Sequence, residues 1–266
     1  MSGGGSLRSL SGRGGLVRQF ALVLAALSVA PASGLAERVD AKVQKLTFGS
    51  GGINRTYYLY IPETAAPGPS PLLLLLHGSG RNGKTAIEPW MSLAKSEGIV
   101  LVAPNASDPG AWRIPEEGPD FLHDLVELVR ISNDVVDDRR MYVFGHSAGA
   151  RHGLDIGLLE SEYFAAVAVH AGVVSKEMAP VLDQAPRKIP MAIWVGTHDA
   201  FFPLVAVRNT RDALNAKGFN LQLTEIKNHT HDYYGRSGEI NKEAWAFLKD
   251  HKLAADPRFQ EYRLIK

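Results

Sequence analysis

Short apolar runs alternate with longer segments of helical period along most of this chain. Residues 43–48 and 56–61 flank the turn formers Gly49, Ser50, Gly51 and Gly52, which predicts an antiparallel hairpin. Five consecutive leucines at 72–76, bounded by Pro71 and Gly78, are too few to span a membrane and predict a strand buried on both faces. Further strands are predicted at 99–103, 141–144, 164–169, 189–195 and 221–226, and helices at 85–97, 120–131, 148–159, 205–217 and 240–251. Strands that alternate with helices predict an α/β fold, a mostly parallel sheet with helices on both faces.

The first 36 residues break this pattern. Arg8, Arg13 and Arg18, with no acidic residue among them, precede an apolar run of about eleven residues from Phe20 to Ala30 and then the small residues Ala32, Ser33, Gly34 and Ala36. A basic start, a short apolar middle and a small-residue cleavage region predict a signal peptide over 1–36, exported and removed. The run is too short for a membrane anchor, which needs about 20 apolar residues. A single domain is expected over 37–266, a length ordinary for one α/β unit.

Composition narrows the chemistry by exclusion. The formal charge is +1, and loss of the three leader arginines takes it to about −2, with no basic block of the kind a nucleic-acid partner requires. There is no cysteine, so disulfides, thiolate metal sites and a thiol nucleophile are excluded together, and any covalent catalysis needs another residue.

That residue is predicted at Gly145-His146-Ser147-Ala148-Gly149, where a strand meets a helix. A serine hydroxyl on a sharp strand-to-helix turn projects toward a base, and the two glycines keep side chains out of the crowded turn. Serine chemistry further requires a base, an acid to orient it and donors for the oxyanion. His77-Gly78-Ser79-Gly80 follows the five-leucine strand, and the backbone N–H groups of Ser79 and Ala148 are the expected oxyanion donors. Asp199 directly follows the strand at 189–195 and is the expected acid; His229 or His231, after the last strand, is the expected base. All four stand at strand C-terminal ends, where open α/β sheets form their ligand crevice. The order serine, aspartate, histidine is one of the orders in which such triads occur. His146 is expected beneath the serine turn, His77 within the oxyanion turn, His198 facing away from Asp199, His170 in the core or rim, and His123, His152 and His251 on helices.

The chain resembles α/β-hydrolase-fold esterases, in particular the exported group related to polyhydroxybutyrate depolymerases and feruloyl esterases, over residues 43–252. The similar features are Leu76-His77-Gly78-Ser79-Gly80, the block from Val136 through Asp138, Arg139 and Arg140 to Ala150, and Phe164 to Val169 followed by His170, Ala171 and Gly172. His231-Asp232-Tyr233-Tyr234 is similar to the ending of S-formylglutathione-hydrolase-type esterases, which implies His231 rather than His229 as the base. Secreted polymer depolymerases of this type often carry cysteines and extra binding modules, and this chain carries neither. The expected activity is hydrolysis of small-molecule or polymer-linked carboxylic esters, needing no metal or organic cofactor, no nucleic acid and no stable membrane anchor. A serine peptidase or acyltransferase on the same fold is the alternative, because a triad does not choose its leaving group. About seventeen residues separate Gly172 from the strand at 189, too few for a helical cap, so an open site is expected. The loop at 104–119 is expected to wall the crevice, with Trp112 either stacked on an acyl or aromatic substrate group or packed for stability.

Overall fold

Five leucines in a row are stable as a strand only where both faces are covered, each contributing roughly 1.5–3 kcal/mol on burial. A computed structural model, which describes residues 42–65 and 68–260, meets that condition: β3 (Ser70–Leu76) is buried along its whole length. The described residues belong to one compact unit, Ala41–Gln260, and the leader expected at 1–36 lies outside them.

β3 is flanked by β4 (Val100–Pro104) and β5 (Val136–His146), both parallel to it, in an eight-stranded sheet. Beyond β5 follow β6 (Ala166–His170), β7 (Met191–Gly196) and β8 (Leu221–Ile226), all parallel. On the other side of β4 lie β2 (Ile53–Tyr60) and β1 (Gln44–Ser50), each antiparallel to its neighbour, giving the order β1-β2-β4-β3-β5-β6-β7-β8. The hairpin turns on Gly51 and Gly52 alone, at φ of 58° and 77°; two positive φ values match the twist of the flanking strands and favour glycine at both.

The helices are α1 (Gly83–Ile87), α2 (Met91–Glu97), α3 (Pro119–Ser132), α4 (Ala148–Leu159), α5 (Ala179–Gln184), α6 (Leu204–Ala216) and α7 (Tyr233–Lys249). The single helix predicted at 85–97 is divided at Pro89, which has no N–H to continue a ladder, and α2 ends on Gly98 in the left-handed conformation at φ 70°. Two elements exceed expectation. β5 begins at Val136 rather than 141, its polar first half irregular in register against β3 and held by Asp137, which pairs with Arg140 and Lys252. α7 begins at Tyr233 rather than 240, because Asp232 caps it through the Gly235 N–H and Tyr233 is buried in the core. No helix among the described residues is long and apolar enough to cross a membrane.

Candidate active site

β5 delivers Ser147 to α4 across a single strained residue. Ser147 stands at φ 58°, ψ −117°, a conformation that costs a non-glycine residue about 1–3 kcal/mol and is held by its surroundings. Its N–H donates to the His170 carbonyl at 3.1 Å. A side chain at Gly145 would overlap the backbone of Gly149, and one at Gly149 would overlap the carbonyls of Leu76 and His77, so strand, helix and oxyanion turn approach closely here. Although Ser147 is the N-cap of α4, its hydroxyl caps nothing; it lies 2.8 Å from His231 Nε2.

His231 reaches Ser147 because the loop after β8 is laced to the turn after β7. The His198 N–H donates to the His229 carbonyl (2.9 Å), the Thr197 N–H to the Ile226 carbonyl (3.0 Å), and the Asn228 N–H to the Thr197 hydroxyl (2.9 Å). A side chain at Gly196 would overlap the His229 carbonyl. This lacing sets Asp199 Oδ2 at 2.8 Å from His231 Nδ1, while Asp199 Oδ1 accepts the N–H groups of Phe201 and Phe202 at 2.9 and 2.8 Å. The carboxylate only accepts, so Nδ1 carries the imidazole proton and the Nε2 lone pair faces the serine hydroxyl, which donates to it. The Asp199 carboxylate is fully buried and the His231 side chain is 20% exposed.

Ser79 and Gly80 occupy a turn closed by the Arg81 N–H on the Gly78 carbonyl (3.1 Å), with Gly80 at φ 71°. The Gly80 N–H is used by the Pro109 carbonyl (2.7 Å), whereas the Ser79 N–H has no acceptor among the described residues. Ala148 is the first residue of α4, so its N–H has no intrahelical partner either. Both border a cleft of about 280 Å³ shared by Gly78, Ser79, Arg81, Ser147, His231 and Tyr234, or adjoin it directly through Ser147.

Around Ser147, His231 and Asp199 lie three buried imidazoles. His146 and His170 meet through their Nδ1 atoms at 3.0 Å, and His170 and His229 through their Nε2 atoms at 3.2 Å. Burial, and then the neighbouring His231, pushes His146 down to about 4; burial and the adjacent imidazoles lower His170 further, and burial also lowers His229. Each shift favours the neutral imidazole, and in each pair one ring donates while the other accepts. His229 is thus engaged with His170, and His231 is the histidine brought to Ser147 and Asp199.

His77 sits in the turn after β3, accepting the Ala106 N–H at Nε2 and facing the Gly78 carbonyl from Nδ1. His198 is exposed, whereas Asp199 beside it is buried. Trp112 lies on the expected loop; its indole N–H donates to the His77 carbonyl (2.8 Å) and its ring stacks on His152 (5.3 Å). Between β6 and β7 there is only the six-residue α5 and a short turn, tied down where Ser175 bonds Asp155 and Arg151. Sequence reasoning passed over Arg81 and Tyr234, whose place beside Ser147 had no signal beyond adjacency to the turn and to His231.

No family profile matches the chain. It is 31% identical over 144 residues to a poly(3-hydroxybutyrate) depolymerase from Ralstonia pickettii, covering 46% of this chain and 30% of the relative. It is 25% identical over 154 residues to acetylxylan esterase A from Aspergillus awamori, covering 54% of this chain and 51% of that one. The chain thus spans between about a third and a half of these relatives' length. An S-formylglutathione hydrolase from Agrobacterium tumefaciens superposes with a TM-score of 0.65 at 16% identity, over 80% of this chain and 97% of its own. The fold is that of the α/β hydrolases.

Proposed function

We propose that this chain is an exported serine esterase that cleaves carboxylic esters through an acyl-enzyme on Ser147. The observation that carries the reading is the unbroken hydrogen-bond series from Asp199 through His231 to Ser147, with 2.8 Å at both steps, on a strained strand-to-helix turn. His231 Nε2 takes the hydroxyl proton as Ser147 Oγ bonds to the ester carbonyl carbon, and the carbonyl electron pair moves onto oxygen. The N–H groups of Ser79 and Ala148 hold that oxyanion. When the intermediate collapses, the bond to the alcohol oxygen breaks and the alcohol leaves with the proton from Nε2. Water then repeats the sequence on the acyl-enzyme and frees the acid. Asp199, fixed by two backbone N–H groups, keeps the proton on Nδ1 and stabilises the imidazolium that forms in each half.

Kinship with an ester depolymerase and an acetylxylan esterase supports an ester rather than an amide as the bond cleaved. The short β6–β7 connection supports a cleft open to solvent, and the basic-then-apolar segment within 1–36 supports export. Trp112 reads best as a brace for the oxyanion turn, through its bond to the His77 carbonyl and its stacking on His152.

The test is Ser147→Ala assayed on a soluble short-chain ester. Turnover should fall roughly 10⁴- to 10⁶-fold, since triad members act as a unit. Covalent labelling by a fluorophosphonate should disappear with it. A folded variant that keeps its turnover refutes the mechanism.

A further inference from the structure

Nearly every arginine among the described residues is committed to an acceptor. Nine are paired with carboxylates, from Arg55 on Glu117 to Arg258 on Glu162. Arg139 donates to the Leu253 carbonyl, and Arg187 to those of Ser161, Phe164 and Ala165. Arg81 is the exception: its guanidinium lies 4.9 Å over the Tyr234 ring with neither carboxylate nor carbonyl on it, exposed on the rim of the cleft that holds Ser147 and His231.

An aromatic face orients a guanidinium without using its N–H groups, so the fork that binds planar anions in two places stays available. The support is itself fixed. Tyr234 packs edge-on against Tyr233 at 5.1 Å and His146 at 6.0 Å, and the Arg81 backbone closes the oxyanion turn. The one carboxylate on the same cleft, Asp232, is not paired with Arg81; it accepts the Gly235 N–H at 3.1 Å, where the positive end of α7 meets its charge. The His231 ring also meets the apolar rings of Phe201 and Phe202, at 4.7 and 5.8 Å. The cleft that holds Ser147 therefore carries one cation, Arg81, with no acceptor among the described residues on its guanidinium.

We propose that Arg81 determines specificity by binding a carboxylate carried on the substrate, so that the preferred substrates are esters that keep a free carboxylate near the scissile bond. The proposal rests on the esterase reading above. The carboxylate belongs either to the acyl half, as in the half-ester of a dicarboxylic acid, or to the alcohol half, as in the acylated form of a hydroxy acid, and the two are separable by experiment.

The full chain, Arg81→Gln and Arg81→Lys are compared on two substrate pairs: mono-p-nitrophenyl adipate against p-nitrophenyl hexanoate, and p-carboxyphenyl acetate against p-tolyl acetate. The quantity read is kcat/KM for the charged ester divided by that for its neutral partner. In one pair Arg81→Gln should lower this ratio about 10- to 100-fold, the worth of a hydrogen bond between charged partners, with Arg81→Lys falling between because it keeps the charge and loses the fork. The pair that responds identifies the half of the substrate bearing the carboxylate. A ratio unchanged within about twofold in both pairs overturns the role of Arg81 and leaves the esterase reading standing. Failure of the wild-type chain to hydrolyse any of the four esters overturns the esterase reading itself.

Discussion

Acidification forces protons onto imidazoles that fold neutral, and His152 on α4 is where the cost can be measured alone. Its ring is buried, its Nε2–H donates to the Glu117 carbonyl at 2.7 Å, and burial pushes it down to about 4 from 6.5. The unfolded chain therefore takes up this proton below about 6.5, while the folded chain refuses it until about 4, so stability is whole above the first value and is lost as pH falls toward the second. At no more than about 1.36 kcal/mol per pH unit, the loss between pH 6.5 and 4.5 is about 2 kcal/mol. His146 and His170 act in the same direction. Glu160 acts in the opposite one: burial pushes its carboxyl up to about 8, so between there and 4.5 the folded chain holds a proton the unfolded chain lacks, and stability rises as pH falls. The whole-protein curve mixes both signs, which makes a difference measurement necessary. His152→Gln keeps a donor for the Glu117 carbonyl and removes the titration. Urea unfolding of both proteins at pH 7.5 and 4.5 should show the penalty of the substitution shrinking by about 2–3 kcal/mol at the lower pH. A penalty equal at both pH values, within about 0.5 kcal/mol, would mean that His152 is not held neutral and that the reasoning fails.

Two further outcomes are expected. His231→Ala should lower kcat/KM on one small ester by about 10⁴-fold, whereas His229→Ala, which touches His170 and not Ser147, should lose less than about tenfold; the reverse ranking would move the base to His229. Gly149→Ala should destabilise the fold by about 3 kcal/mol, because the added methyl meets backbone carbonyls that no rotamer change can move aside, and a shift below about 1 kcal/mol in chemical denaturation would contradict the close packing of the turn.

The parallel sheet was legible because strands buried on both faces read as unbroken apolar runs, as in the leucines of β3. The serine turn was legible because crowding at Gly145 and Gly149 leaves room for glycine alone. Legibility ended where polar residues are satisfied at long range. The first half of β5 contains Asp137, Arg139 and Arg140, whose partners Lys252, Leu253 and Pro69 are distant in sequence, so no local period marks the strand. The start of α7 reads as a loop, with Gly235 and Gly238 close together, and is helical because Tyr233 is anchored in the core. Two neighbouring histidines, His229 and His231, were equivalent on spacing; backbone bonds across two loops separate them, and a single sequence does not encode those visibly.

The lacing of the loop after β8 onto the turn after β7 also governs how the site comes apart. Asp199 and His231 hang from the same set of backbone bonds, through Thr197, His198 and Asn228, so a thermal opening that carries away one carries away the other. If Asp199, His231 and Ser147 act as proposed, such a site would have no long-lived state in which an orphaned base faces the serine without its acid. Heat or denaturant would then diminish the number of competent molecules while leaving each survivor at full speed, and lost activity would follow the count of opened loops.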